Sequence, residues 1–181
     1  MQETTAIPTI KGIFVKSHIN AVRQAKSEAG LMELRRRYGQ SIELRNNDNI
    51  PIPDEVKIIN LAFDIVSDHR LPTEMDFEAG RFHFRNFLKT PLAKYIFSAF
   101  RNKFKLLMLN AKNIAGHVFQ GMIFTTIDLG PSAVKVRTEN NYYPPNHFRG
   151  LLYEWLHFSV LQGSVEELQA GPRVFEYTIR W

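Results

Sequence analysis

The sequence of 181 residues contains no cysteine. This absence excludes disulfides, thiolate nucleophiles, and zinc or iron–sulfur sites with cysteine ligands. No stretch approaches the roughly 20 consecutive apolar residues that a membrane-spanning helix needs. The first ten residues, MQETTAIPTI, lack the basic and apolar segments of a secretory signal peptide. We therefore expect a protein without a membrane span, and a cytoplasmic location as the default.

Motifs of catalysis and of metal binding are also missing. The sequence has no G-x-S-x-G turn and no glycine-rich phosphate loop. His69 and His83 do not form an H-x-x-x-H pair, and His147 and His157 lie ten positions apart, which is about 15 Å along a helix. These observations predict a protein that is not an enzyme, holds no metal ion and needs no cofactor.

The length of the chain is that of one domain, since single domains commonly contain about 100–200 residues. No internal repeat, low-complexity run or long linker divides the sequence. We expect a flexible N-terminus over residues 1–8 and a single α+β domain over residues 9–181.

The apolar pattern changes its period after Gly121. Before that point a spacing of 3.6 residues predicts a series of helices. After it, MIFTTIDL and AVKVRTE alternate with period two around a turn at GPS, and SVEELQAGPRVFEYTIRW predicts a second hairpin. PPNHFRGLLYEWLHFSVLQG between them predicts a helix. The expected fold is therefore α+β, with N-terminal helices packed on a C-terminal four-stranded antiparallel sheet made of two hairpins joined by a helix.

The last strand is expected to be part of the core. In AGPRVFEYTIRW the four residues Phe175, Tyr177, Ile179 and Trp181 alternate and share one face of a strand. Among the helices, SEAGLMELRRRYGQ begins at Ser27 and ends at Gly39. PTEMDFEAGRFHFRNFLKT is apolar on two sides and is expected to be the most buried helix. RNKFKLLMLNAKNIAGHVF is expected to form one continuous helix.

Positive charge is concentrated in the middle of the chain. Residues 79–127 contain no Asp or Glu. Arg81 and Arg85 in this stretch are within helical reach of Glu74 and Glu78 and are expected to form ordinary surface ion pairs. Three basic residues farther along align on one helix face without acidic neighbours and form a candidate site for an anionic partner: Arg101, Lys105 and Lys112. A solvated helix face is the simpler explanation of this basic line.

The order of these elements resembles a known family. A helix, a hairpin, a helix with an internal Trp and a hairpin ending in F-E-Y-T-I-R-W are similar to an uncharacterised paralogous family expanded in myxobacteria. The opening KGIFVKSHINAV and the segment FEAGRFHFRNFLKTPLAKYIF extend the resemblance over most of the chain. That family resembles a fold group of haem nitric-oxide-binding domains, vinyl-reductase-like sensor domains and transport-particle tethering subunits. The resemblance implies a domain that often encloses an apolar cavity, is often dimeric, and has no known catalytic residues to transfer.

Two departures from these relatives concern cofactors. Relatives frequently have a cysteine before the last strand, where this chain has Val174. Haem-binding relatives also need a proximal histidine and a tyrosine-x-serine-x-arginine run that holds the haem propionates, and this run is absent. His117 is the histidine best placed at the junction of helices and sheet, but without the run we expect no haem.

Three classes of function remain open. The first is a non-enzymatic sensor or adaptor domain of bacterial signalling or regulation that holds a small apolar ligand between sheet and helices, with four candidate ligand-binding residues: Phe124, Trp155, Tyr177 and His117. The second is a ligand-free module for protein interaction or assembly. The third is binding of a nucleotide or nucleic acid through the basic line, together with Arg35, Arg36 and Arg37; it ranks behind the other two because no exposed stacking aromatics are evident.

A homodimer is expected, and a protein partner besides. The segment PLAKYIFSAF carries more apolar side chains than one small domain readily covers, namely Leu92, Tyr95, Ile96 and Phe100. Surplus apolar surface of this kind commonly marks an interface.

Overall fold

A computed structural model describes residues 6–68, 74–99 and 103–181 of the chain. Its helices are α1 (Gly12–Tyr38), α2 (Ile52–Val66), α3 (Met75–Phe87), α4 (Pro91–Ala99), α5 (Phe104–Leu109), α6 (Ala111–Val118) and α7 (Pro145–Phe158). Its strands are β1 (Thr9–Lys11), β2 (Asn49–Pro51), β3 (Phe119–Gln120), β4 (Ile123–Asp128), β5 (Ala133–Glu139), β6 (Ser164–Gly171) and β7 (Val174–Arg180). The prediction of an α+β fold with N-terminal helices and a C-terminal four-stranded antiparallel sheet is confirmed.

The large sheet has the strand order β4-β5-β7-β6, with every neighbouring pair antiparallel. The last strand, β7, therefore lies between β5 and β6. Phe175, Tyr177 and Ile179 are buried, and the ring of Trp181 lies 5.0 Å from that of Phe104. The predicted apolar face of this strand is confirmed. Within the sheet, β7 pairs with β6 of its own hairpin and with β5 of the other hairpin.

A small sheet joins three distant parts of the chain in the order β2-β1-β3. Its strands contain two or three residues each, too few for the period of two to be visible in the sequence. Residues 1–5 of the predicted flexible N-terminus lie outside the described part of the chain, and Pro8 is buried and accepts a hydrogen bond from the Ile52 backbone N–H.

Helix boundaries follow the sequence signals with some corrections. α1 is interrupted at Ser27, where the backbone has φ 56° and ψ −154°, and it ends at Gly39 with φ 79°. The segment expected as one helix over residues 101–119 is divided instead into α5 and α6, which meet at Asn110. Asn110 has φ −95° and ψ 11°, and its side-chain amide donates to the Leu106 carbonyl at 2.9 Å, a local bond that competes with a continuous helix.

Helices α3 and α7 cross at very short range. A Cβ added to Gly80 would lie 1.9 Å from the His147 carbonyl oxygen, and one added to Gly150 would lie 2.0 Å from the Phe77 carbonyl oxygen. Only glycine permits such an approach of two backbones. α3 also packs on α1 and α2, in keeping with its two apolar faces. Among the described residues, no helix is both long and apolar enough to cross a membrane.

Candidate functional site

An apolar cavity of about 70 Å³ lies between the helices and the large sheet. Side chains of α3, α6, α7 and strands β3 to β5 line it: His83, Phe84, Phe87, Ala111, Ile114, Ala115, Val118, Phe119, Phe124, Val136, Phe148, Leu151, Leu152 and Trp155. Cavities with such walls stay dry and take up apolar molecules; one of about 150 Å³ binds benzene or xenon. This cavity is smaller and fits a ligand of a few atoms.

Aromatic rings limit the size of the cavity. Phe84 stacks on Trp155 with ring centroids 5.5 Å apart, and Phe119 stacks on Phe124 at 5.7 Å. From α6, Ala111 and Ala115 contribute only methyl groups, beside the larger Ile114 and Val118. Trp155 Nε1 is buried without a hydrogen-bond partner among the described residues. The cavity thus has bulky aromatic walls, one wall of small side chains, and an indole N–H nearby that is free to donate.

The four residues predicted to bind the ligand take different positions. Phe124 and Trp155 line the cavity. Tyr177 is fully buried behind it, with its ring 6.0 Å from that of Phe148 and its hydroxyl donating to the Pro145 carbonyl. His117 is exposed. It is not part of the lining, because the side of α6 that faces the cavity carries residues 111, 114, 115 and 118.

A second feature adjoins the cavity and was not anticipated from the sequence. Six polar side chains from α1, α2, α3, the loop before α7 and the first turn of α7 meet in the core: His18, Glu55, His83, Asn86, Tyr143 and His147. None of them is more than 3 % exposed. We call this group the buried polar cluster. His83 belongs both to the cluster and to the wall of the cavity.

Glu55 is at the centre of the buried polar cluster. Its Oε1 lies 3.3 Å from His18 Nε2 and 3.8 Å from His83 Nε2, while the Tyr143 hydroxyl donates to its Oε2. His83 Nδ1 lies 3.0 Å from His147 Nε2. The amide of Asn86 lies 3.4 Å from His18 Nδ1. These contacts join side chains from four helices into one network.

Burial makes the neutral forms of these groups the stable ones. Burial, with a smaller contribution from Lys89, lowers the pKa of His18 to about 3. Burial lowers the pKa of His83 to about 4, against the opposing effect of Glu55, and lowers that of His147 well below its usual value. Burial also raises the pKa of Glu55, although His83 and the Tyr143 hydrogen bond oppose the shift. At neutral pH the three imidazoles therefore carry no charge.

Neutral imidazole nitrogens and a carboxylate are the usual ligands of transition metals. The candidate ligand atoms of His18, Glu55 and His83 all lie within 4.8 Å of one another. The expectation of no metal site depended on histidine spacing along single helices. That argument does not hold, because these three residues come from three different helices. The sequence signal for them was a polar side chain within an apolar stretch, as at His83 between Phe82 and Phe84.

Two of the three residues of the basic line lie in the described part of the chain. Arg101 lies outside the described residues. Lys105 is half-buried and bonds to Asp128 Oδ1 at 2.8 Å and to the Gly130 carbonyl at 2.7 Å. Lys112 is exposed on α6, beyond the break at Asn110. The helix break and the ion pair with Asp128 leave no continuous row of free cations on the described part of this face.

Arg81 and Arg85 are paired, but with a different acid from the one expected for Arg85. Arg81 contacts Glu78 at 2.9 Å as predicted. Both arginines also bond to Glu154 of α7 at 2.7 Å. These ion pairs fasten the outer side of the α3–α7 crossing.

The segment expected to carry surplus apolar surface is partly covered. Ile96 is buried, Leu92 is half-buried and packs against the core, and Tyr95 is 73 % exposed. Phe100 lies outside the described residues. Tyr95 is therefore the described member of this set that remains available for an interface.

The buried histidines predict an acid-sensitive fold. In the unfolded chain His18, His83 and His147 take up protons near pH 6.5. In the folded protein burial lowers the pKa of His18 to about 3, that of His83 to about 4, and that of His147 well below its usual value. Their contribution to stability is present above pH 6.5 and is lost as the pH falls toward 4. Glu55 acts in the opposite direction, since its raised pKa favours the folded state at low pH. Three histidines outweigh one carboxyl group, so the free energy of unfolding should rise between pH 4 and 6.5.

The measurement is urea unfolding across this pH range in the presence of EDTA. Each proton of difference between the unfolded and folded states gives a slope of about 1.4 kcal/mol per pH unit. His147→Gln should reduce the slope of stability against pH by the amount that corresponds to about one proton. His157 is exposed, and His157→Gln should leave the slope unchanged. A wild-type stability that is flat or falls across this range contradicts the prediction.

Solved structures with a similar fold include H-NOX proteins. The chain aligns with an Fe(II) unliganded H-NOX protein from K. algicida at a TM-score of 0.64 and 9% identity, covering 94% of this chain and 95% of that one. It aligns with an oxygen-binding H-NOX domain related to soluble guanylate cyclases at 0.59 and 14%, covering 94% of each chain. A mutant H-NOX from T. tengcongensis gives 0.57 and 16%, with 94% and 96% covered. No protein-family model and no curated protein matches the sequence. At these identities the likeness shows the H-NOX fold alone.

The residues present do not fit haem. The apolar cavity, at about 70 Å³, is far below the roughly 300–1,000 Å³ of sites for larger organic ligands. His117, the histidine considered for the iron, is exposed on the side of α6 away from the cavity. The sequence also lacks the tyrosine-x-serine-x-arginine run for the propionates. The space between sheet and helices is occupied instead by stacked aromatic side chains.

Proposed function

We propose that this chain is a non-enzymatic sensor domain that binds a very small, mostly apolar molecule in the cavity between α3, α6, α7 and the sheet. The observation that carries the proposal is the cavity itself, whose lining is apolar apart from His83. Its place between the helices and the large sheet suits a sensor, because ligand binding there changes the packing of both layers. The H-NOX neighbours, one of which is named as oxygen-binding, support a small-ligand role for this fold.

The proposed sensor works without haem, for the reasons of size and ligand placement given above. Its setting is bacterial signalling or regulation in the cytoplasm, in keeping with the resemblance to the myxobacterial family. It acts as an adaptor through a protein partner and forms a homodimer in which the exposed Tyr95 contributes to the interface. Light scattering tests the dimer: a monomer at micromolar concentration contradicts this part of the proposal, and Tyr95→Ser should weaken a dimer that exists.

Xenon is a suitable probe of the cavity, because it enters small apolar spaces without needing polar contacts. We expect xenon to shift the NMR resonances of residues around the cavity in a saturable way. Ala115→Leu should abolish these shifts, since the larger side chain projects from the α6 wall into the space. The chemical shifts of amides and methyl groups, recorded with increasing xenon pressure, give the measurement.

A matched control separates loss of the cavity from a general effect of the larger residue. Ala29→Leu makes the same substitution on an exposed position of α1 and should leave the xenon response unchanged. If the wild-type protein shows no saturable shifts around the cavity, or if Ala115→Leu retains them, the ligand-binding proposal is wrong. A ligand-free assembly module, the second candidate, then becomes the better account of the exposed Tyr95.

A further inference from the structure

We propose that His18 Nε2, Glu55 Oε1 and His83 Nε2 form a binding site for one divalent first-row transition-metal ion. The Glu55 oxygen lies 3.3 Å from one nitrogen and 3.8 Å from the other. Two ligand atoms that are each about 2.1 Å from a tetrahedral ion lie about 3.4 Å apart. These two separations are close to those of a loaded site, and all three ligand atoms lie within 4.8 Å of one another, so binding requires the two imidazoles to draw together around the ion.

The set of ligands specifies the class of metal. Two imidazoles and one carboxylate hold zinc in sites with an open fourth position, and also hold iron(II) in sites with several open positions. Calcium and magnesium prefer ligand sets made entirely of oxygen. The site therefore suits Zn²⁺, Fe²⁺ or a neighbouring metal of the first row.

The charge of Glu55 supports the same conclusion. Within the described part of the chain, the basic side chains beside it are His18 and His83, which are neutral at pH 7, and no Lys or Arg reaches it. A buried carboxylate without a full positive charge beside it is strongly unfavourable. A divalent cation at the shared position supplies that charge, whereas in the metal-free protein a proton must take its place.

The contacts around the three ligands are those that support metal sites. Metal-bound histidines usually direct their second nitrogen to a hydrogen-bond partner, and bound carboxylates are hydrogen-bonded in turn. His83 Nδ1 is 3.0 Å from His147 Nε2, His18 Nδ1 is 3.4 Å from the Asn86 amide, and Tyr143 donates to Glu55 Oε2. With Nε2 on the metal, His83 carries its proton on Nδ1 and donates it to His147.

His147 gives an independent indication that the buried polar cluster has a role beyond filling the core. Its Nδ1 is fully buried and has no hydrogen-bond partner among the described residues. Such orphaned polar atoms are costly, and native cores keep few of them. Holding His83 Nε2 toward Glu55 gives His147 a role that compensates for this cost. Because His83 also lines the apolar cavity, a molecule bound there contacts a metal ligand directly.

The test uses the full-length protein stripped of metal by EDTA, then loaded with Zn²⁺ or Co²⁺ by refolding, because the site is closed to solvent. After dialysis, elemental analysis should give one metal ion per chain, and Co²⁺ should show the intense visible absorption of a tetrahedral site. Zn²⁺ should also raise the melting temperature, and EDTA should reverse the increase. Wild-type protein that refolds but retains no metal overturns the proposal.

Variants identify the ligands. Glu55→Gln preserves the shape of the side chain and should lower the affinity for Zn²⁺ at least 100-fold, with loss of the Co²⁺ absorption. Tyr143→Phe keeps all three ligands and should lower the affinity about 10-fold. His117→Gln and His157→Gln change exposed histidines and should have no effect. If Glu55→Gln folds and binds as the wild type does, or if the exposed histidines account for the bound metal, the assignment is wrong. The xenon response of the cavity is measured separately, so failure of one proposal leaves the other testable.

Discussion

A chain that ends at Arg173 is expected to give no soluble, cooperatively folded protein. The truncation removes β7, which lies between β5 and β6. Strand β6 is then no longer hydrogen-bonded to the β4–β5 hairpin, and β5 and β6 each gain an unpaired edge. It also removes Phe175, Tyr177 and Ile179, all buried. Each such side chain contributes about 1.5–3 kcal/mol by burial, and the total stability of a domain is typically about 5–15 kcal/mol. Expression, solubility and thermal unfolding of the truncated chain provide the measurement.

The matched control is a chain that ends at Arg180 and lacks only Trp181. Trp181 is half-buried and contacts Phe104 at the margin of the core. Its loss should lower the melting temperature but preserve a cooperative transition, since β7 keeps both neighbours. A soluble protein ending at Arg173 that melts cooperatively would show that β7 is not an essential part of the sheet.

The main features of the fold were accessible from the sequence because each has a local signal. The alternation in AVKVRTE and in VFEYTIRW is a direct consequence of strands with one buried face. The small sheet has no comparable signal, since two or three residues define no period. The break at Asn110 was missed because it contains neither glycine nor proline. That break places Lys105 on α5 and Lys112 on α6, so these two lysines do not share one continuous helix.

The candidate site was only partly accessible. Phe124 and Trp155 were selected as aromatic residues near the sheet, and the structure places both on the cavity wall. The buried polar cluster was missed because its members are far apart in the sequence. Glu55 looked like an ordinary acidic residue in the first turn of a helix. His18 and His83 carry no shared motif in the sequence, and only the packing of α1, α2 and α3 brings them to one point.

The close crossing of α3 and α7 explains how the cavity and the buried polar cluster come to adjoin. His83 is on α3, and His147 is in the first turn of α7. Their contact at 3.0 Å requires the two backbones to approach closely at Gly80, where a Cβ would meet the His147 carbonyl itself. On the same crossing, Phe84 of α3 stacks on Trp155 of α7 and forms a wall of the cavity. One helix–helix contact thus determines the geometry of both features.

Gly80→Ala and Gly150→Ala should therefore strongly destabilise the crossing of α3 and α7. The new Cβ would lie 1.9 Å or 2.0 Å from a backbone carbonyl oxygen. Because the clash is with a backbone atom, no side-chain rotation relieves the contact, and α3 and α7 must move apart. We expect the free energy of unfolding to fall by about 3 kcal/mol or more, at the upper end of the range for overpacked cores. Urea unfolding gives this value.

Gly116→Ala is the matched control, because Gly116 lies within α6 and a Cβ there would meet nothing within 4 Å. Alanine is favoured over glycine in a helix interior, so this variant should be as stable as the wild type or more stable by up to about 1 kcal/mol. If all three variants have similar stability, the α3–α7 contact is looser than the structure has it. If the Gly80→Ala protein still folds, separation of the two helices should also weaken the His83–His147 contact. Loss of that contact should reduce the retention of Zn²⁺ and the response to xenon together, whereas Gly116→Ala should leave both unchanged.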